Sequence, residues 1–205
     1  RSAVFNSDKC FIKQRRIAFF GNVYSENGIS PDPDMVKDIK KMPSPQDKED
    51  LQRFLGLLTD MGSFIPNLSQ KSASLRELLK KETPYDWSED HQRVSDMLKD
   101  AISEHSSMAY FDTTTSVTLE VDASLKGLGA ALLQNGCPVA FASKTLTPTQ
   151  ANCSNIEREM LALVHGIERF HAYLYGRHFY INTDHKPLEM ICKKPIITAP
   201  QDCSA

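Results

Sequence analysis

No apolar run in this sequence approaches the roughly 20 residues that a membrane-spanning helix needs, and the chain reads as one without a membrane partner. No charged-then-apolar leader with a small-residue cleavage site opens it, so secretion is not indicated. A bias of charge is missing too: 24 Lys and Arg stand against 26 Asp and Glu, a net charge of −2. A dedicated nucleic-acid binder is usually basic, so the global charge lends that function no support. Five cysteines (Cys10, Cys137, Cys153, Cys192 and Cys203) are scattered, with no Cys-x-x-Cys spacing. They signal neither a zinc site nor a disulfide framework, and point to free thiols in a reducing compartment, cytoplasm or nucleus. Internal repeats and low-complexity segments are absent as well. The first residue is Arg1 rather than methionine, which suggests a processed product or a fragment.

What is there is ordinary globular composition over 205 residues, enough for one large or two small cores. Residues 11–30, "FIKQRRIAFFGNVYSENGIS", are β-prone on both sides of Gly21, and Glu26-Asn27-Gly28 is a turn signal. Short strands or a hairpin are expected. Pro31, Pro33, Pro43 and Pro45 then punctuate the chain. Ser44-Pro45 resembles an N-cap followed by proline at the first helical position, and Asp47, Glu49 and Asp50 suit the positive end of a helix dipole. Leu51, Phe54, Leu55, Leu58 and Met61 recur at helical spacing, Leu75, Leu78 and Leu79 mark a short helix, and Ser88 can cap a third carrying Val94, Met97, Leu98 and Ile102. Residues 31–107 therefore read as a small helical unit.

From Met108 the pattern changes. "SVTLEVD" and "HFYINTD" are strand-like, and "GLGAALLQ" and "PVAFASKTL" read as strands joined at Asn135-Gly136, a tight-turn signal. Residues 155–174 carry the strongest helical pattern, with Ile156, Met160, Leu163, Val164, Ile167 and Phe170 on one face. Three strands, a helix and a strand make an α/β unit with a mixed sheet.

Two of those strands end alike, at Asp122 and at Asp184, and the helix between them carries Glu157 and Glu159 near its start. If the strands are neighbours, both aspartates lie at one sheet edge and a glutamate can join them. Converging carboxylates repel unless a cation sits between them. Hard divalent ions accept oxygen ligands, and magnesium leaves room for phosphate oxygens. A pair of such ions, about 3.5–4 Å apart, suits phosphodiester cleavage. Small residues at Ala123, Ser124, Gly127 and Gly129 would admit a polymer backbone. Periodicity alone does not choose between Glu157 and Glu159.

"TLEVDASLKGLGAALLQ", "PVAFASKTLTPTQANCSNIEREMLALVHGIERFHAYLYG" and "FYINTDHKPL" resemble the ribonuclease H domain of gypsy-class LTR-retrotransposon Pol polyproteins. Upstream, "KCFIKQRRIAFFGNVYSENGISPDPDMVKDIKKMPSPQDKEDLQRFLGL" resembles the end of a reverse-transcriptase palm and the thumb and connection helices after it, and Tyr85-Asp86-Trp87-Ser88 fits the connector. The resemblance implies an α/β, ribonuclease H-like mixed sheet with helices, preceded by a small, mainly helical thumb and connection region. It implies residues 1–30 as the palm end with a primer-grip-like hairpin, 31–111 as thumb and connection, and 112–205 as a C-terminally incomplete ribonuclease H-like domain. It also implies Asp122, Glu159 and Asp184 as catalytic metal ligands, two magnesium ions (manganese as the alternative), and hydrolysis of the RNA strand of an RNA–DNA hybrid.

His185 follows the last aspartate in "TDHKPL" and reads as a structural or substrate-side residue. Phe20 and Gly21 match the primer grip, and Lys13, Arg15 and Arg16 are the basic cluster beside it, so all five are expected to contact hybrid or primer-template. The rest of a Pol polyprotein is the implied protein partner. Two departures accompany the match. The polymerase Tyr-x-Asp-Asp motif is absent, so polymerisation by this chain is not expected. "TAPQDCSA" stands where the family continues to a fourth carboxylate, for which Asp202 is no convincing substitute, and cleavage is expected to be weak or absent. A non-catalytic nucleic-acid-binding module or a domesticated remnant is the alternative.

Overall fold

Phe20 and Gly21 both adopt positive φ, 48° and 73°, the twist of a two-residue hairpin turn. In the computed structural model, which describes residues 13–104 and 107–184, this turn opens a three-stranded antiparallel meander. Its strands are β1 (Arg16–Phe19), β2 (Asn22–Ser25) and β3 (Gly28–Pro31). His185, Asp202, the Lys193-Lys194 cluster and Cys10, Cys192 and Cys203 lie outside the described residues.

The proline-punctuated stretch holds a helix, α1 (Pro33–Lys41), that the sequence reading did not anticipate. Pro33 occupies its first turn, where an N–H is not needed, and the Asp32 side chain accepts from the Asp34 N–H at 3.0 Å. The next helix, α2 (Lys48–Asp60), is capped by Asp47 rather than by Ser44. The reason is tertiary: the Ser44 hydroxyl bonds to Gln92, and the Pro45 carbonyl accepts from the Tyr85 hydroxyl at 2.7 Å. A 3-10 turn (Gly62–Phe64), α3 (Leu68–Lys71), α4 (Ala73–Glu77) and α5 (Glu89–Glu104) follow. Ser88 does engage the start of α5, through its backbone carbonyl to the Gln92 N–H and its hydroxyl to the His91 N–H. Leu51, Phe54, Leu58, Leu75, Leu98 and Ile102 are buried together as this region's core.

A second core lies under a four-stranded sheet of order β6-β5-β4-β7. Its strands are β4 (Val117–Ala123), β5 (Gly127–Gln134), β6 (Cys137–Thr145) and β7 (Phe179–Asn182). Strands β4, β5 and β6 run antiparallel in sequence, and β7 returns parallel to β4, as a helical crossover requires. Asn135 and Gly136 both take positive φ at the β5–β6 turn, as their sequence announced.

The crossover contains α6 (Pro148–Ala151), α7 (Asn155–Arg169) and α8 (His171–Leu174), so the expected single helix over 155–174 is broken at Phe170. Its buried face also differs from the expected stripe. Glu159, Ala162, Leu163 and Gly166 face inward, while Val164 is 45% exposed. Gly166 sets this orientation: a Cβ there would stand 3.2 Å from each of Ala130, Leu119 and Val121, so the helix backbone beds on the sheet at its smallest residue.

Ser154 donates its N–H and its hydroxyl to the Glu157 carboxylate at 2.7 and 2.8 Å, and these bonds hold that carboxyl below its usual range. A carboxyl with a depressed folded value stabilises the fold above its unfolded pKa and loses that contribution as pH falls through the folded one. Ser154→Ala should return the Glu157 carboxyl toward the ordinary glutamate value and remove its share of the acid-side dependence. An NMR pH titration of Glu157 checks this.

Candidate active site

Strand alternation decides which side chains of β4 can do chemistry. Val117, Leu119 and Val121 are buried, two of them against Gly166 of α7, while Glu120 and Asp122 are exposed on the opposite face. The parallel β4–β7 register pairs Glu120 with Asn182 and brings the chain beyond β7, with Asp184, alongside the end of β4. Asp122 and Asp184 consequently line one cavity of about 370 Å³, together with Glu120, Asn182, Thr183 and Asn67. Asn182 Nδ2 donates to Glu120 Oε1 at 2.9 Å.

Asn67 enters this cavity from the helical region. It takes a left-handed conformation, φ 53°, just before α3, and its Nδ2 donates to Asp122 Oδ2 at 3.1 Å across 55 residues of chain. The residue opposite Asp122 on β5 is Gly129, where a Cβ would lie 1.8 Å from Asn67 Oδ1. Next in the same row, the Ser143 hydroxyl of β6 accepts from the Ser69 N–H at 3.1 Å. The row Asp122–Gly129–Ser143 therefore seats the 67–69 segment over the sheet.

Gly129→Ala is expected to expel the Asn67 amide from Asp122. The atom in the way is the far end of a side chain, so the stability loss should be small, about 1 kcal/mol, the low end for overpacking. A shifted Asn67 side-chain amide resonance with little change in Tm would be the signature.

Glu159 is placed differently. It is 4% exposed, on the face of α7 turned to the sheet, and does not line the cavity of Asp122 and Asp184. Glu157, the other glutamate of that turn, is exposed and engaged by Ser154. Among the described residues no group of three or more His, Cys, Asp or Glu side chains is close enough to hold a metal ion. The chemistry of the cavity nevertheless suits a hard divalent cation: its side-chain acceptors are the oxygens of carboxylates, amides and the Thr183 hydroxyl, with no sulfur or imidazole.

Glu120 and Asn67 were missed by sequence reasoning. Glu120 carried a signal, since i−2 on a strand shares the face of Asp122. Asn67 carried none, because its partner is distant in the chain. On the N-terminal meander, Arg15 and Arg16 line a separate cavity of about 410 Å³ with Ser25, Asn27 and Ser30. Lys13, Phe20 and Gly21 are not part of its lining, although Phe20 is 87% exposed at its turn.

Residues 87–181 match the family described as the RNase H-like domain found in reverse transcriptase. This chain carries an RNase H-like domain of the reverse-transcriptase type. The matched segment of that RNase H-like domain includes Asp122 and Glu159 and stops short of Asp184. Over the wider chain, similarity runs to retrotransposon polyproteins. The retrovirus-related Pol polyprotein from transposon 297 of Drosophila melanogaster is 36% identical over 185 residues, 90% of this chain and 18% of that protein. That from transposon 412 of the same organism is 32% identical over 88% of this chain and 15% of its own length. The Tf2-3 polyprotein of Schizosaccharomyces pombe is 29% identical over 90% and 14% respectively. The chain thus spans less than a fifth of the relatives it matches.

The fold of the RNase H-like domain and the helices before it is also that of solved foamy viral enzymes. The protease-reverse transcriptase in complex with RNA/DNA hybrid aligns over 95% of this chain and 27% of its own, with a TM-score of 0.76 at 19% identity. The form called dRH, in complex with double-stranded DNA, aligns over 92% and 34%, with a TM-score of 0.74 at 19% identity. No helix among the described residues is long and apolar enough to cross a membrane.

Proposed function

We propose that this chain is part of a gypsy-class LTR-retrotransposon reverse transcriptase, and that its RNase H-like domain hydrolyses the RNA strand of an RNA–DNA hybrid with divalent metal ions. The observation that carries the reading is the common cavity of Asp122 and Asp184, built by the parallel pairing of β4 and β7. Asp122, Asp184 and Glu159 would hold two ions, magnesium or manganese. When bound, such ions supply Lewis-acid stabilisation of the attacking and leaving oxygens of the phosphodiester.

The chain's own residues do the positioning. Asn182 and Asn67 orient Glu120 and Asp122 through their amide donors. The 2′-hydroxyl is the feature by which an RNA strand differs from DNA at such a site. Lys13, Arg15 and Arg16 would hold phosphates, which positions the hybrid without reading its sequence, and Phe20 and Gly21 would contact its backbone.

A second reading has its own support. The Asn67 amide already sits on Asp122, which favours a module that clamps hybrid without cutting it. One experiment separates the two: incubate the chain with end-labelled RNA–DNA hybrid, with magnesium present and then withdrawn, across a salt series. Magnesium-dependent loss of the RNA strand supports hydrolysis. Binding that weakens steeply with salt but never cuts supports the clamp. Absence of both binding and cleavage sinks both readings.

A further inference from the structure

We propose that the cleft where α4 and α7 meet the edge strand β6 is a phosphate-binding site, and that the phosphate it takes belongs to a nucleic-acid backbone. The second half rests on the nucleic-acid reading above; the first half does not.

The cleft encloses about 270 Å³ and is lined by Arg76, His165 and Arg169, with the hydroxyl residues Ser63, Ser69 and Ser143. Arg76 comes from α4 and is half-buried; its Nε donates to Ser72 Oγ at 3.0 Å. Among the described residues no ion pair reaches Arg76 or Arg169. A guanidinium half out of water without a carboxylate is costly, and burial pulls that of Arg76 below its usual pKa.

His165 and Arg169 are four residues apart on α7, hence neighbours on one flank of the helix. His165 Nε2 is buried without a hydrogen-bond partner among the described residues. Burial first, then the charges of Lys144 and Arg169, disfavour a positive charge on the His165 ring, and Glu168 is the carboxylate acting in the opposite sense. Two guanidinium groups and an unpartnered ring nitrogen around one void repel any further cation and favour an anion.

A phosphate fits that demand. Its oxygens accept from the fork of an arginine, from an imidazole N–H and from hydroxyls together. The volume lies below the roughly 300 Å³ at which sites for larger organic ligands begin, so a single phosphate rather than a nucleoside is the occupant. Arg169 and Ser63 at the rim are exposed, which leaves the mouth open for a polymer backbone to run past.

The test uses the full 205-residue chain and the ring resonances of His165. Inorganic phosphate and, separately, an RNA–DNA hybrid should both move them. Arg169→Gln should weaken hybrid binding about 5- to 10-fold and reduce the salt slope by roughly one. Arg169→Lys should recover only part of the loss, because the fork is gone. Arg76→Gln should behave likewise; if it fails to fold, the Arg169 pair still decides. His165 resonances indifferent to both probes overturn the site, even if the hybrid binds elsewhere on the chain. Movement with phosphate but not with bound hybrid keeps the site and overturns its assignment to a backbone. Movement with phosphate in a chain that never binds hybrid keeps the site while the nucleic-acid reading fails.

Discussion

Asp122→Asn should lower hybrid cleavage at least a hundredfold while hybrid binding stays close to that of the unsubstituted chain. The substitution is nearly isosteric, and the remaining carbonyl oxygen can still accept from the Asn67 amide, so the seating of residues 67–69 is preserved. What is lost is the negative charge that a divalent ion requires. Removal of groups that merely support metal ligands costs about 10- to 100-fold in affinity or activity, and loss of a ligand itself should exceed that range. Phosphate contacts made elsewhere on the chain are untouched, which is why binding survives.

The glutamates extend the test. Glu159→Gln should follow Asp122→Asn, whereas Glu157→Gln should leave cleavage almost unchanged, because Glu157 is an exposed capping group held by Ser154. Equal losses at both glutamates would overturn the choice of Glu159. Full cleavage by Asp122→Asn would remove the catalytic reading.

Leu119→Ala should destabilise the chain by about 2–5 kcal/mol, the range for a buried leucine cut back to alanine. Leu119 is 0% exposed, at the centre of β4, and a Cβ on Gly166 would touch it. Its removal leaves a cavity under α7, which beds on the sheet at Gly166. With a whole-domain stability on the order of 5–15 kcal/mol, such a loss is a large fraction of the total. Chemical denaturation should show a lower midpoint with an unchanged slope. A loss below about 1 kcal/mol would mean that α7 resettles onto the sheet, against the close approach seen at Gly166.

Much of the local structure was legible because its causes are local. Asn135-Gly136 favours positive φ at two successive residues, and the hairpin follows. Ser88 can satisfy the first orphan N–H groups of α5 whatever the rest of the chain does. Where local signals competed, the sequence misled. Ser44 and Asp47 are both capable caps, and the choice fell to Asp47 because Gln92, 48 residues away, engages the Ser44 hydroxyl. Val164 belongs to an apolar stripe on paper, yet helix orientation is set by how closely Gly166 can approach Ala130, Leu119 and Val121.

The candidate site divides along the same line. The sequence by itself determined that an aspartate lies at or just beyond the end of each of two strands (Asp122 one residue before the end of β4, Asp184 two residues past β7), that strand alternation puts Asp122 on one face and Leu119 and Val121 on the other, and that a helix lies between the two strands. These are consequences of period-2 and period-3.6 geometry, which act within a few residues. Only the tertiary structure decided that β7 lies parallel beside β4, that Glu120 joins the two aspartates in one cavity while Glu159 lies on the α7 side, and that Asn67 reaches Asp122 over the empty Cβ position of Gly129. Those placements depend on which apolar faces are buried together and which polar groups find partners across long stretches of chain. Both are settled by the free energy of the whole fold, which no local pattern encodes.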